Sequence, residues 1–256
     1  MSTLCIVQAR YGSSRLPGKV VEPILGVPML AGIIKRLQQS RLVDHLVVAT
    51  TSESGDDPVV AIASAADCAV VRGSTFDVLD RFHDALVAYP DTDVIVRVTA
   101  DCPFIDPGLV DDVIQARIDH DADFASNRLP PPYRRTFPVG LDVEVCTAIA
   151  LERAWREADE PHFREHVMPF LYASDSGLRV HILDLAEDLS NYRWTVDTPQ
   201  DLDAVRQIAG RLPAGSTSWS DVLEVVQANP WLTELNDGQT QKMVHEVDSR
   251  WGRSED

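Results

Sequence analysis

The sequence has no apolar run approaching the ~20 residues a membrane-spanning helix needs, and no charged N-terminal segment leading into an uninterrupted apolar stretch. A cytoplasmic protein is therefore expected. Cysteine is scarce: Cys5, Cys68, Cys102 and Cys146 are far apart, form no C-x-x-C pair and sit in apolar, strand-like contexts. That pattern argues against disulfide staples and a zinc site, and buried free thiols are expected. Basic charge is also in deficit, with 23 Lys plus Arg against 40 Asp plus Glu in 256 residues, a formal net charge of −17 and a pI near 4.7. Nucleic acid and anionic membranes demand a basic face, so neither is expected as a partner. A small anion held in a local basic pocket stays open.

A chain of this length can bury about 70–75% of the surface its unfolded form exposes, enough for one sizeable core without metal or disulfide support. The little basic charge is concentrated. Residues 1–41 hold Arg10, Arg15, Lys19, Lys35, Arg36 and Arg41 against Glu22 alone. Lys35, Arg36 and Arg41 fit a solvated helix face, whereas Arg10, Arg15 and Lys19 share one glycine-rich loop.

Short apolar runs at 4–7, 45–50, 68–71 and 93–99 alternate with helical spacings at 27–39, 58–66 and 77–89. This β-α-β-α-β-α-β order is that of a largely parallel sheet covered by helices. Further on, helices are expected at 107–120, 150–158, 162–173 and 199–212, with Pro199 at a favourable first position, and strands at 123–126, 140–146, 178–185 and 192–196. A weak boundary at 212–218 divides a domain over 1–212 from a helical appendage and tail over 213–256. In the appendage Ser218 or Ser220 caps a helix, and the final GRSED reads as disordered. The breaker-rich NRLPPPYRR (127–135) is either a lid over an acceptor or a stiff surface connection.

The first strand runs into QARYGSSRLPGK (8–19), which puts backbone N–H groups and cations together at the carboxyl edge of the sheet, where α/β folds bind ligands. By composition this is a triphosphate cradle. It is not a P-loop: five residues separate Gly12 from Gly18, and Val20 follows Lys19 where a hydroxyl is required. A G-x-G-x-x-G fingerprint is absent after this strand as well. The fourth strand ends in RVTADCP (97–103), which brings Asp101 to the same edge, a hard oxygen donor suited to Mg²⁺. Asp197, in RWTVDTPQDL, is a second candidate ligand or an ordinary helix N-cap.

Four ordered motifs, QARYGSSRLPGKVVEPILGVPML, VVRGSTFDVLDRF, RVTADCPFIDP and YRWTVDTPQDLDAV, resemble the cytidylyltransferase family that activates acidic sugars. Within it the chain is most similar to the spore-coat polysaccharide biosynthesis branch, which it also resembles in FPVGLDVEV and REHVMPFLY. The resemblance spans 3–212. It implies a three-layer α/β/α, Rossmann-like nucleotidyltransferase fold with a mostly parallel, mixed sheet. The implied reaction transfers CMP from CTP to a small-molecule acceptor and releases pyrophosphate, with Mg²⁺ as cofactor; the assembly stays open between monomer and homodimer.

Carried over by position, the resemblance implies nucleotide contacts from Gln8, Ala9, Arg10, Gly12 and Ser13. Arg15 and Lys19 would lie on the β- and γ-phosphates, Arg72 and Gly73 near the base, and Asp101 and Asp197 on Mg²⁺. Arg15, Lys19 and Asp101 are the catalytic candidates, since they answer the charge that develops as pyrophosphate leaves. Asp77 and Asp80 cap and solvate a helix, or Asp80 with Arg81 shapes the base pocket. Asp142 and Glu144 alternate along one strand and either meet the acceptor or form an exposed face. Glu165 and His166 are acceptor candidates too, with a structural histidine as the alternative, and Cys102 reads as packing. A metal-dependent glycosyltransferase and a non-catalytic nucleotide-binding protein are the competing classes; the former usually places its metal ligands in a D-x-D, and D-V-D does not occur here.

Overall fold

A computed structural model describes residues 1–241, 243 and 245–248; the GRSED segment lies outside the described residues. The first half follows the apolar runs closely. Strands β1 (Thr3–Gln8), β4 (His45–Thr51), β5 (Ala69–Gly73) and β6 (Val94–Thr99) alternate with helices α1 (Met29–Leu37), α2 (Asp57–Ala65) and α3 (Val78–Ala88). A hairpin of β2 (Pro23–Ile24) and β3 (Val27–Pro28) precedes α1, turning at Leu25 and Gly26 with φ of 51° and 82°. The helical spacing of 27–39 had concealed it.

The second half comprises α4 (Pro107–Asp119), β7 (Phe124–Ser126), β8 (Glu144–Thr147), α5 (Ala148–Glu157), α6 (Pro161–His166), α7 (Pro169–Tyr172), β9 (Val180–Ile182), α8 (Pro199–Ala209), α9 (Trp219–Ala228) and α10 (Trp231–Glu234). Two expectations are corrected. The single helix over 162–173 is two, because Val167 sits at φ 71° and Pro169 brings no N–H to continue the ladder. The strand over 192–196 is an irregular stretch joined to Val139 by one isolated bridge at Arg193.

The sheet order is β5-β4-β1-β6-β8-β7-β9, and β8 alone runs against the rest. Alternation along β1 feeds two cores. Leu4 and Ile6 pack with α3 and α5 on one face, while Cys5 and Val7 pack with α1, α4 and α8 on the other. The result is a three-layer α/β/α arrangement. Val222 and Val226 of α9 and Leu232 of α10 are buried in that second cluster. All four cysteines are free and buried, and burial pushes the Cys68 thiol up to about 11. No described helix is long and apolar enough to cross a membrane.

The chain builds outward from β1 to β4 and β5, then returns to place β6 on the other side of β1. That reversal opens a crevice at the carboxyl ends of β1 and β6, the place where open α/β sheets receive ligands. The loop after Gln8 and the turn carrying Asp101 meet there.

Candidate active site

The loop after β1 is folded by its own backbone. Tyr11 C=O accepts from Ser13 N–H at 2.9 Å and Gly18 N–H at 2.8 Å, and Gly18 turns at φ 77° beneath the Tyr11 ring. A single 3-10 turn follows and drives Lys19 inward. Asp56, 3% exposed, fastens the loop from outside: it accepts from Tyr11 N–H at 2.6 Å, from Thr51 N–H at 3.0 Å and from the Thr51 hydroxyl. Nothing in the local sequence singles out Asp56 as an anchor of this loop, because the loop N–H it accepts, that of Tyr11, is 45 residues away. Asp56→Ala leaves these donors without their acceptor. Since hydrogen bonds to charged groups are worth ~1.5–3 kcal/mol each, a loss of about 2 kcal/mol is expected in chemical denaturation; an unchanged midpoint would remove the anchoring role.

Lys19 is the centre of the site. Its Nζ donates to Asp101 Oδ2 at 3.0 Å, Asp197 Oδ1 at 2.9 Å and the Val196 carbonyl at 2.8 Å. Burial alone would lower the ammonium, but Asp101 and Asp197 outweigh it and hold its pKa above the usual lysine value. Burial would likewise raise the Asp101 carboxyl. The Lys19 charge and the Thr99 hydroxyl, 2.6 Å from Oδ1, hold it well below the carboxylate range instead.

Asp197 is freed from capping duty. Thr198 is the N-cap of α8 and forms a reciprocal box with Asp201. The Asp197 carboxylate instead meets Arg15 Nη2 at 2.9 Å and Arg193 Nη2 at 3.0 Å. Arg193 is itself held by the fully buried Asp201, whose two oxygens also take the Asp197 and Thr198 N–H groups and the Asn236 amide. The sequence reading missed Arg193 and Asp201, although the box T-P-Q-D was visible.

Arg15, Lys19, Asp101 and Asp197 line one cleft of ≈ 280 Å³ that continues toward β8. Its walls carry five cationic side chains, Arg10, Arg15, Lys19, Arg97 and Arg128, and four anionic ones, Asp101, Asp142, Glu144 and Asp197. The cleft thus reverses the sign of a chain whose net charge is −17. Asp142 and Glu144 are buried, not on an exposed face. Arg128 lies 3.0 Å and Arg135 2.5 Å from Asp142, while Arg97 binds both Glu144 and the Gln8 amide oxygen. Burial opposes the Asp142 charge, yet Arg128 and Arg135 hold its pKa down. The Tyr172 hydroxyl lies buried at this end with no hydrogen-bond partner among the described residues.

The 127–135 loop supplies Arg128, Pro130 and Pro131 to the wall, its neck closed by an antiparallel bridge between Arg128 and Arg135. Of the other sequence candidates, Gln8, Ser13 and His166 line the cleft. Ala9 spends its N–H on the Ala49 carbonyl, and Gly12, whose Cβ position is open, and Glu165 lie beside the cleft outside its lining.

Arg72, Gly73 and Asp80 stand apart. Arg72 reaches the Thr51 and Glu53 carbonyls and Asp57, drawn outward by that carboxylate. Asp80 accepts from the Trp155 indole at 2.9 Å on the far side of α3. Its neighbour Arg81 is the one that turns toward β5: fully buried, it donates to the Ser74 and Thr75 carbonyls, and burial lowers its pKa to about 10.

The family model described as "Cytidylyltransferase" matches residues 4–232. Among curated relatives, the spore coat polysaccharide biosynthesis protein SpsF of Bacillus subtilis is 34% identical over 89% of this chain and 95% of its own. Among solved structures, a cytidylyltransferase from Leptospira borgpetersenii superposes with a TM-score of 0.86 at 32% identity, covering 94% of this chain and 99% of that one. A CMP:2-keto-3-deoxy-manno-octonic acid synthetase complexed with CTP shares the fold, with a TM-score of 0.63 at 19% identity over 82% of this chain and 99% of the other.

Proposed function

The chain belongs to the cytidylyltransferase family, and on that premise we propose that it transfers CMP from CTP to an acidic sugar or related polar metabolite, releasing pyrophosphate for polysaccharide or glycoconjugate biosynthesis. The observation that carries this reading is the convergence of Asp101 and Asp197 on a single cation position, filled here by the Lys19 ammonium, beside Arg15 at the β1/β6 crevice.

Two carboxylates already gathered around one positive charge fit Mg²⁺, which takes one or two carboxylates and completes its shell with water and phosphate oxygens. Mg²⁺ held there would offset triphosphate charge at the reacting phosphorus. Lys19 and Arg15 would set their charges against the pyrophosphate end of the nucleotide. Arg193 and Asp201 keep Asp197 oriented. The acceptor oxygen attacks the α-phosphorus as the bond to the pyrophosphate oxygen breaks, and no covalent enzyme intermediate is needed. Arg97, Arg128 and the Tyr172 hydroxyl face the acceptor with donors, which suits a polar, oxygen-rich molecule.

Scanning fluorimetry with CTP, UTP, GTP and ATP, each with Mg²⁺, tests the base. A ligand at ~100 times its dissociation constant adds about 2.7 kcal/mol, or roughly 5–10 °C for a domain of this size. CTP alone is expected to give this shift; equal shifts from all four would remove the base assignment. In a pyrophosphate-release assay with a matching acceptor, Asp101→Asn is expected to lose ~10²–10³-fold in turnover, and wild-type rates from that variant would rule out the metal role.

A further inference from the structure

Beyond α10 the chain returns across the cleft. Thr240 presents its carbonyl to Arg15 Nη1 at 3.2 Å, and Gln241 its amide oxygen to Arg135 at 3.3 Å. Gln241 and Met243 stand in the cleft wall. Farther along, the Glu246 carbonyl is 2.9 Å from His166 Nε2, which must donate because a carbonyl can only accept. Asp248 closes the crossing: its carboxylate lies 3.6 Å from Arg10, and its N–H donates to Glu165 at 2.6 Å.

Chemistry unites these contacts. Four oxygens of the segment, two backbone carbonyls, one amide and one carboxylate, rest on Arg15, His166, Arg135 and Arg10. Arg10 and Arg15 belong to the phosphate loop and His166 to the acceptor candidates. Phosphate and sugar oxygens would require the same donors. With Lys19 committed to Asp101 and Asp197, all three loop cations are answered from within the chain. Nucleotide can enter only by exchanging these partners.

We infer that the C-terminal segment around Thr240, Gln241, Glu246 and Asp248 is an autoinhibitory strap that competes with the nucleotide for Arg10 and Arg15; this rests on the reading of the cleft as a CTP site. Its energetic consequence is simple. Apparent affinity falls by the fraction of molecules in which the donors are free. A strap seated in nine molecules of ten weakens CTP about tenfold.

The test is calorimetric titration of CTP with Mg²⁺ into the full chain, a chain ending at Asp237, and Asp248→Ala. Ending at Asp237 keeps α10 and Asn236, whose amide holds Asp201 and the Arg193 carbonyl, so the site's supports remain. The shortened chain is expected to bind about tenfold tighter and Asp248→Ala roughly threefold tighter, the scale of one partly exposed ion pair. A synthetic peptide of residues 238–256 added to the shortened chain should weaken CTP again. Equal or weaker binding by both altered chains would overturn the strap while leaving the CTP site standing. Failure of every form to bind CTP at millimolar concentration would overturn the site reading, and the strap with it. Should the shortened chain lose its cooperative thermal transition, Asp248→Ala decides alone.

Discussion

Lys19→Met is expected to lower kcat/KM for pyrophosphate release from CTP about 10³-fold, the scale of removing a charged group that answers transition-state charge. It is also expected to destabilise the free protein by about 2 kcal/mol. That figure sits below the ~3–5 kcal/mol of breaking a fully buried pair, because the Asp101 side chain is a quarter exposed and Asp197 keeps Arg15 and Arg193. The two effects separate in Mg²⁺. If Asp101 and Asp197 form the metal site, Mg²⁺ should restore the melting temperature of Lys19→Met more than it raises that of the wild type, without restoring turnover.

The pH dependence gives an independent reading of the same cluster. In the wild type the Asp101 carboxyl is held below its unfolded value, so the stability it contributes is complete above pH ~4 and is lost as pH falls through the folded value. Lys19 works in the opposite sense. Its pKa is raised, so its contribution is complete below the unfolded lysine value of ~10.4 and fades only as pH climbs through the higher folded one. Without Lys19, burial pushes Asp101 upward against the Thr99 and Cys102 hydrogen bonds only, and acid unfolding should begin at a higher pH than in the wild type. Coincident acid limbs would show that the ammonium does not hold the carboxylate.

What was legible in the sequence follows from how far the determinants lie apart. β1, β4 and β6 are parallel and buried on both faces along most of their length, so each reads as a continuous apolar run bounded by turn residues. Asp101 and Lys19 were legible because a strand's carboxyl end is a definable place in the chain. The supporting shell was not. Asp56 lies 45 residues from the Tyr11 N–H it accepts, and Asn236 lies 35 from Asp201. Asp142 and Glu144 looked equally like a solvated strand face, since alternation says that two side chains share a side without saying which. Arginines from the 127–135 loop and β6 decide it. Arg72 shows the converse: its position at the β5 edge suits a base contact, while in the free protein its guanidinium pairs with Asp57 on the adjoining helix.

The irregular 192–196 stretch explains why one glycine is expected to matter as much as any charged residue. Gly140 sits at φ 104°, and a Cβ there would stand 2.5 Å from the Thr195 nitrogen and 2.6 Å from the Trp194 carbonyl carbon. Both neighbours are backbone and cannot swing away. They are also pinned: Trp194 N–H donates to Val139 C=O at 2.7 Å, and Val139 N–H to Tyr192 C=O at 2.9 Å. Gly140→Ala therefore combines a strained positive φ, ~1–3 kcal/mol, with overpacking of a fixed contact, ~1–3 kcal/mol. A loss of about 4 kcal/mol is expected, a fall of roughly 10 °C in melting temperature at this size. The displacement also reaches the site. Val196 N–H and the Thr195 hydroxyl both bond the Asp101 carbonyl, and Val196 C=O holds Lys19, so moving 194–196 separates Asp101 from Asp197. Weaker CTP binding should accompany the lower melting temperature. Gly12→Ala is the control, since no atom lies within 4 Å of its Cβ position, and its melting temperature should match the wild type. If Gly140→Ala melts within 2 °C of the wild type, the close approach of these two backbone segments does not hold the site together.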